Sequence, residues 1–175
     1  KRWLLILAGL ATTGMACGQG LAGGAVRIIV PFPPGGGFDV ATRIVSSKLG
    51  EELGAPVIVE NLPGAGGYIG ARAAARAPAD GHTLFACGIS THGTGPALYK
   101  NPPVDSEKDF APLSMIGSNP NVLVMNPALN IRTFAEFKAW ATAGKASLSY
   151  ASPALGTAPE LTMEVIKQAL KVDLV

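Results

Sequence analysis

Three short turns in this sequence carry the residue types that hold small anions. The first is Pro33-Pro34-Gly35-Gly36-Gly37, followed by Phe38 and Asp39. Consecutive glycines let backbone N–H groups approach a ligand with no Cβ in the way. A helical period begins at Phe38 and adds the positive end of a helix dipole. Together these features make an anion site. A carboxylate suits it, because each oxygen accepts two hydrogen bonds. Asp39 either caps the helix or accepts a hydrogen bond from a ligand hydroxyl or ammonium group. A plainer reading stands beside this one: a structural turn in which Asp39 is an early helical residue and nothing more.

Nucleotide chemistry does not fit the same turn. A phosphate loop needs Gly-Lys-Ser/Thr after its glycines, and Phe38-Asp39 stands there instead. A dinucleotide fingerprint needs a third spaced glycine, and Val40 occupies that place. The second turn, Gly88-Ile89-Ser90-Thr91-His92-Gly93, half resembles a nucleophile elbow, but His92 replaces the closing glycine. A hydrolase using Ser90 and His92 is therefore the alternative in another class. Ser90, Thr91 and His92 fit better as hydrogen-bonding groups for a ligand or as residues that order the loop. The third turn runs from Ser152 to Pro159 and includes Gly156, Thr157 and Ala158. Pro159 suits the first turn of a helix. Thr157 with Glu160 three positions later has the spacing of a capping box. The functional reading is a second set of amides facing the first turn.

The elements that must position these turns follow from periodicity. Arg27-Ile28-Ile29-Val30 is a short apolar run bounded by Pro31 and predicts a buried parallel strand. Val40, Ile44, Val45, Leu49 and Leu53 recur at helical steps, predicting the inward face of a helix that ends at Gly54. Val57-Ile58-Val59 predicts a second strand, Tyr68 to Ala77 an Ala-rich helix, and Thr83 to Cys87 a third strand in which Cys87 is a buried free thiol. Strand–helix alternation implies a parallel sheet with helices on its faces and right-handed crossovers. Ligands of such sheets sit beyond the carboxyl ends of the strands, and the turns after Val30, Cys87 and Tyr150 occupy such positions. Asn101-Pro102-Pro103 then breaks the pattern. Leu113–Gly117, Asn121–Met125 and Ser147–Tyr150 are strand-like. Thr133 and Glu136 form a capping box for a helix with Phe134, Phe137, Trp140 and Ala141 inward. Glu160 to Leu170 is helical with Leu161, Val165 and Ile166 inward. Lys171 to Val175 looks like the start of a further strand, which predicts an incomplete sheet and a fragment.

Composition narrows the class. Of 175 residues, 48% are hydrophobic and 15% charged, which excludes a disordered tail. The formal net charge is +2, with no basic run and no basic–aromatic interleaving, so a nucleic-acid surface is not expected. Cysteine spacing is not of the metal-binding type, and neither a metal nor a cofactor is expected. Lys1-Arg2, the apolar stretch Trp3 to Ala11 and the small residues from Gly14 to Ala25 have the order of a secretory signal, predicting residues 1–25 as a signal peptide and export. Gly14-Met15-Ala16-Cys17 resembles a lipobox with Gly14 in place of the usual leucine, so lipid anchoring through Cys17 stands beside ordinary cleavage near Ala25.

Ile28 through Asp39 resembles the opening motif of the Bug family, the TctC-like periplasmic binding proteins of tripartite tricarboxylate transporters. Val59-Glu60-Asn61-Leu62-Pro63-Gly64-Ala65-Gly66-Gly67 resembles the family's second signature. Asp80-Gly81-His82-Thr83-Leu84, Leu98-Tyr99, Lys108 to Leu113 and Val122 to Pro127 also fit, in order, so the resemblance covers nearly everything after the signal segment. It implies an α/β, periplasmic-binding-protein-like (Venus flytrap) two-domain fold, incomplete here. Residues 26–104 would form the first part of domain 1 and residues 105–175 the first part of domain 2, with a crossing near Tyr99–Phe110. It implies a monomeric, non-enzymatic solute receptor in the periplasm that delivers its ligand to membrane permease subunits. The ligand class is a small carboxylate: a tricarboxylate, a dicarboxylate, an acidic amino acid or an aromatic acid. The implied ligand-binding residues are Pro34, Gly35, Gly36, Gly37, Phe38 and Asp39 on one jaw and Ser152, Gly156, Thr157 and Ala158 on the other, partly through bridging waters. Ser90, Thr91 and His92 are the expected contribution of the second turn. One departure stands out. The family has a Ser/Thr–His-type pair opening the helix after the third turn, whereas this chain has Ala158-Pro159-Glu160.

Overall fold

A computed structural model describes residues 23–143 and 148–174. The predicted signal segment as far as residue 22, with Cys17, lies outside the described residues. The first half is a three-stranded parallel sheet. Strand β1 (Val26–Val30) is central, with β2 (Val57–Asn61) on one side and β3 (Thr83–Phe85) on the other. Val26 pairs with Val57 and Ile28 with both Val59 and Leu84. The strand needs both faces covered, because Val26, Ile28, Ile29 and Val30 are all buried. Full burial of side chains such as Ile29 and Val30 stabilises by about 1.5–3 kcal/mol each.

Helix α1 (Gly37–Leu53) joins β1 to β2, and α2 (Tyr68–Ala75) leads from β2 towards β3. Ile28, Val30 and Ala86 form one core with Leu49, Val57, Val59 and Leu84. Tyr68, Ala71 and Val104 form a second, with Phe85, Tyr99 and Phe110. Helix α2 lies very close to the sheet. A Cβ at Gly70 would stand 3.1 Å from Leu62 O and 3.3 Å from Ile29 Cγ2.

The expected inward face of α1 is corrected. Val40, Ile44, Val45 and Leu53 are exposed, Ile44 at 68%, and only Leu49 turns towards the core. The buried face is Asp39, Thr42 and Ser46. These small and polar residues recur every three or four positions and let the helix sit close to β2. Farther along, a Cβ at Gly50 would come within 3.5 Å of Val57 Cγ2. Gly54 closes the helix in the left-handed conformation, as expected. Cys87 is exposed rather than buried. The strand ends at Phe85, and the Cys87 N–H turns back to Phe85 O at 3.1 Å, which lifts the thiol off the sheet.

Short helices α3 (Ile89–His92) and α4 (Gly95–Leu98) follow β3. Beyond residue 104, the predicted strands Leu113–Gly117 and Asn121–Met125 pair with no strand among the described residues. Leu113, Met115, Val122 and Val124 are all roughly four-fifths exposed. The capping box of α5 (Phe134–Thr142) forms as expected: Thr133 Oγ1 accepts from the Glu136 N–H at 3.2 Å, and Glu136 Oε2 accepts from the Thr133 N–H at 3.1 Å. Phe137 and Ala141 are buried, but Phe134 is exposed. In α6 (Ala158–Leu170) the buried residue is Met163, and Val165 points outward. Leu148 and Leu174, on either side of α6, form a single parallel bridge. Of the predicted strand at Ser147–Tyr150, Ser147 lies outside the described residues, and Leu148 to Tyr150 form only that bridge.

Candidate functional site

The strand order β2-β1-β3 places a switch point between β1 and β3. Ligands of such sheets bind beyond the carboxyl ends of the strands at that point. Both the first and the second turn flank it. In the first turn Gly35 adopts φ +83°, a left-handed conformation that favours glycine, and Gly36 is the extended N-cap of α1. Gly36 and Gly37 have no such demand from the fold. A Cβ at Gly36 would meet only Pro33 O at 3.7 Å, and one at Gly37 only Asn119 Nδ2 at 3.8 Å. Both positions therefore have room for a Cβ. Residues Pro33 to Phe38 are exposed. Among the described residues the N–H groups of Gly36, Gly37, Phe38 and Asp39 have no acceptor, as the first turn of a helix dictates.

Asp39 is the anchor of this turn. It is buried, and its carboxylate accepts from the Gly35 N–H at 2.8 Å, from Arg43 Nε at 2.9 and 3.0 Å, and from Asn61 Nδ2 at 3.0 Å. Asn61 also donates to Phe32 O at 3.0 Å and accepts from Arg43 at 2.9 Å, tying the end of β2 to the turn. The Arg43 hydrogen bond, then the Gly35 N–H, then Asn61 hold the Asp39 carboxyl well below the usual range, against the opposing effect of burial. Asp39 therefore spends its oxygens on the protein. It fixes the geometry of the glycines and is itself charge-compensated by Arg43. Arg43 and Asn61 were not among the expected site residues. The Asp39–Arg43 spacing of four was the available signal.

The second turn separates its residues. Ser90 is buried, and its Oγ has no hydrogen-bond partner among the described residues. Thr91 is buried; its Oγ1 donates to Gly88 O at 3.2 Å and lies 2.9 Å from His92 Nδ1. The His92 ring packs against Phe85 and Phe110, and burial lowers its pKa. His92 lines an open groove of about 530 Å³ with residues between Gly93 and Glu107, not with either glycine turn. No hydrogen bond joins Ser90 to His92 among the described residues, so the nucleophile–base pair that a hydrolase needs is not formed.

In the third turn Gly156 adopts φ +77° and donates its N–H to Glu160 Oε2 at 2.6 Å. Thr157 is the N-cap residue of α6, but its hydroxyl donates to Ala154 O at 2.7 Å instead of capping. The capping box expected here is thus replaced by a bond one residue earlier. Ala158 opens the helix and Ser152 is half-buried.

The turns converge. A Cβ at Gly88 would lie 2.6 Å from Phe38 Cζ, so the second turn abuts the first. Thr94 Oγ1 donates to Gly156 O at 2.6 Å and lies 3.2 Å from Ile89 O, so the same turn is tied to the third. Asn121 Nδ2 donates to Thr162 on α6 at 2.9 Å, while Asn119 lies beside Gly37. Thr94 and Asn119 carry no motif that would have singled them out in the sequence.

Comparison with known proteins decides the family. The model of the tripartite tricarboxylate transporter family receptor matches residues 41–175. The chain belongs to this receptor family. BugT of Bordetella pertussis is 38% identical over 143 residues, covering 81% of this chain and 44% of that protein. The protein of the tcbD-tcbE intergenic region in a Pseudomonas species is 36% identical over 148 residues, covering 83% of this chain and 43% of its own. Two solved structures are similar to this receptor chain at 30% identity over 86% of its length. One is an R. palustris protein with adipate, at TM-score 0.82 over 50% of that chain. The other is MatC from Rhodopseudomonas palustris with bound malate, at TM-score 0.77 over 52% of that chain. The periplasmic-binding-protein-like α/β fold expected from the sequence is the fold of these structures. The chain spans about half the length of the relatives it matches.

Proposed function

We propose that this receptor chain captures a small carboxylate and presents it to the permease of a tripartite tricarboxylate transporter in the periplasm, as a monomer. The observation that carries the reading is the first turn of α1. Four consecutive amides there have no acceptor among the described residues, two bare glycines open onto solvent, and Asp39 locks the loop with its charge matched by Arg43. Hydrogen bonds to a charged acceptor contribute about 1.5–3 kcal/mol each, and the helix dipole adds to them. The relatives solved with adipate and with malate support the ligand class.

In this reading residues 26–104 form one lobe and residues 105–175 the beginning of another. Pro34, Gly35, Gly36, Gly37, Phe38 and Asp39 shape the first jaw, Ser90 and Thr91 the floor, and Ser152, Gly156, Thr157 and Ala158 the second jaw. Closure is a hinge motion favoured by a ligand that touches both lobes. A thermal-shift screen of tricarboxylates, dicarboxylates, acidic amino acids and aromatic acids tests it. At least one acid raises the melting temperature in a saturable way; no response to any acid overturns the reading.

A further inference from the structure

Asp39 and Glu160 hold the same place in two different turns. Each is the third residue of its helix, and each accepts the N–H of a left-handed glycine four positions earlier, Gly35 at 2.8 Å and Gly156 at 2.6 Å. Their electrostatic settings differ. Arg43 sits on Asp39 at 2.9 Å, whereas among the described residues no basic group lies within salt-bridge distance of Glu160. Glu160 is half-buried and stands at the positive end of the α6 dipole with no basic side chain paired to it among the described residues.

Two backbone donors at the start of α6, the N–H groups of Ala158 and Glu160, have no acceptor among the described residues. Pro159 has no N–H, the Thr157 hydroxyl is turned to Ala154 O, and the Gly156 N–H is spent on Glu160 itself. The positive end of the α6 dipole is thus already occupied by a carboxylate of the chain. A ligand carboxylate placed there would meet the like charge of Glu160. Between the two jaws lies the Gly88–Ser90 turn, which abuts Phe38 on one side and is tied through Thr94 to Gly156 on the other. In it the Ser90 hydroxyl is buried with no hydrogen-bond partner among the described residues.

Resting on the carboxylate reading of the α1 turn, we infer that Glu160 sets the ligand class: a small monocarboxylate whose other end carries an ammonium group. The carboxylate sits on the amides of Gly36 to Asp39. The ammonium faces Glu160, whose remaining lone pairs accept from it. A second carboxylate at that end is disfavoured.

Calorimetric titration of the full chain compares matched probes: glutarate and adipate against 4-aminobutanoate and 5-aminopentanoate. The amino acids bind roughly tenfold or more tightly than the diacids, the size of one charge-assisted hydrogen bond. The Glu160→Gln variant loses that preference. Diacids binding as tightly as the amino acids to the unaltered chain overturn the inference, and this comparison holds even where the variant fails to fold. A preference unchanged in a folded Glu160→Gln variant also overturns it. So does the failure of both amino acids to bind while some other acid binds, an outcome that leaves the carboxylate reading intact. Binding of no acid at all overturns the carboxylate reading and this inference with it.

Discussion

Gly35 donates its backbone N–H to Asp39 Oδ2 at 2.8 Å, closing the glycine turn onto the helix that follows it. The bond turns a flexible sequence into a fixed loop. The next four amides have no acceptor among the described residues, and the loop is ordered by the chain's own bonds. Pre-organisation of this kind lowers the entropy lost on binding.

The Asp39 interaction makes stability depend on acid. Its pKa is depressed in the fold from an ordinary value of 3.8, chiefly by Arg43 and the Gly35 N–H. The unfolded chain therefore takes up the proton first as the pH falls. The stabilisation is full above the unfolded value, declines as the pH drops below it and is lost through the lower folded value. Melting temperatures of the unaltered chain and of Asp39→Asn should differ at neutral pH, with the variant lower. The gap should narrow from roughly pH 5 to pH 2. A gap independent of pH would contradict the assigned role.

Gly36→Ala separates fold from function. The backbone at Gly36 is extended and the added Cβ meets only Pro33 O at 3.7 Å, so stability should change by no more than about 0.5 kcal/mol. The same methyl adds bulk to the turn proposed to hold the acid. Affinity for the best acid should fall by roughly tenfold, the loss of one charge-assisted hydrogen bond. Urea unfolding and calorimetry on the same preparation give the two numbers.

Thr133→Ala removes the cap of α5 without touching any of the three turns. It should cost about 1 kcal/mol in urea unfolding and leave acid binding unchanged.

Much of this was legible in the sequence because it depends on local chemistry. The Gly35 turn, the Gly54 stop and the Thr133–Glu136 box each declare themselves within a few residues. What was not legible depends on neighbours distant in sequence. Helix α1 turns Thr42 and Ser46 to the sheet, with Gly50 close to Val57, because small residues permit a close approach. Apolar counting therefore picked the face of Ile44 instead. Asn61 reaches Asp39 from another strand end. His92 shares a turn with Ser90 but packs against Phe85 and Phe110, which only the fold brings to it. At the third turn the spacing of Thr157 and Glu160 was right, but the bond formed one residue earlier, at Gly156, where a left-handed glycine turns its N–H onto the carboxylate.

The most direct test of the account is a calorimetric titration of the full chain with its best carboxylate and with the primary amide of the same molecule. The site on α1 recognises charge through backbone donors, so the acid should bind saturably and the amide at least about tenfold more weakly. Equal binding of acid and amide, or binding of neither, would contradict it.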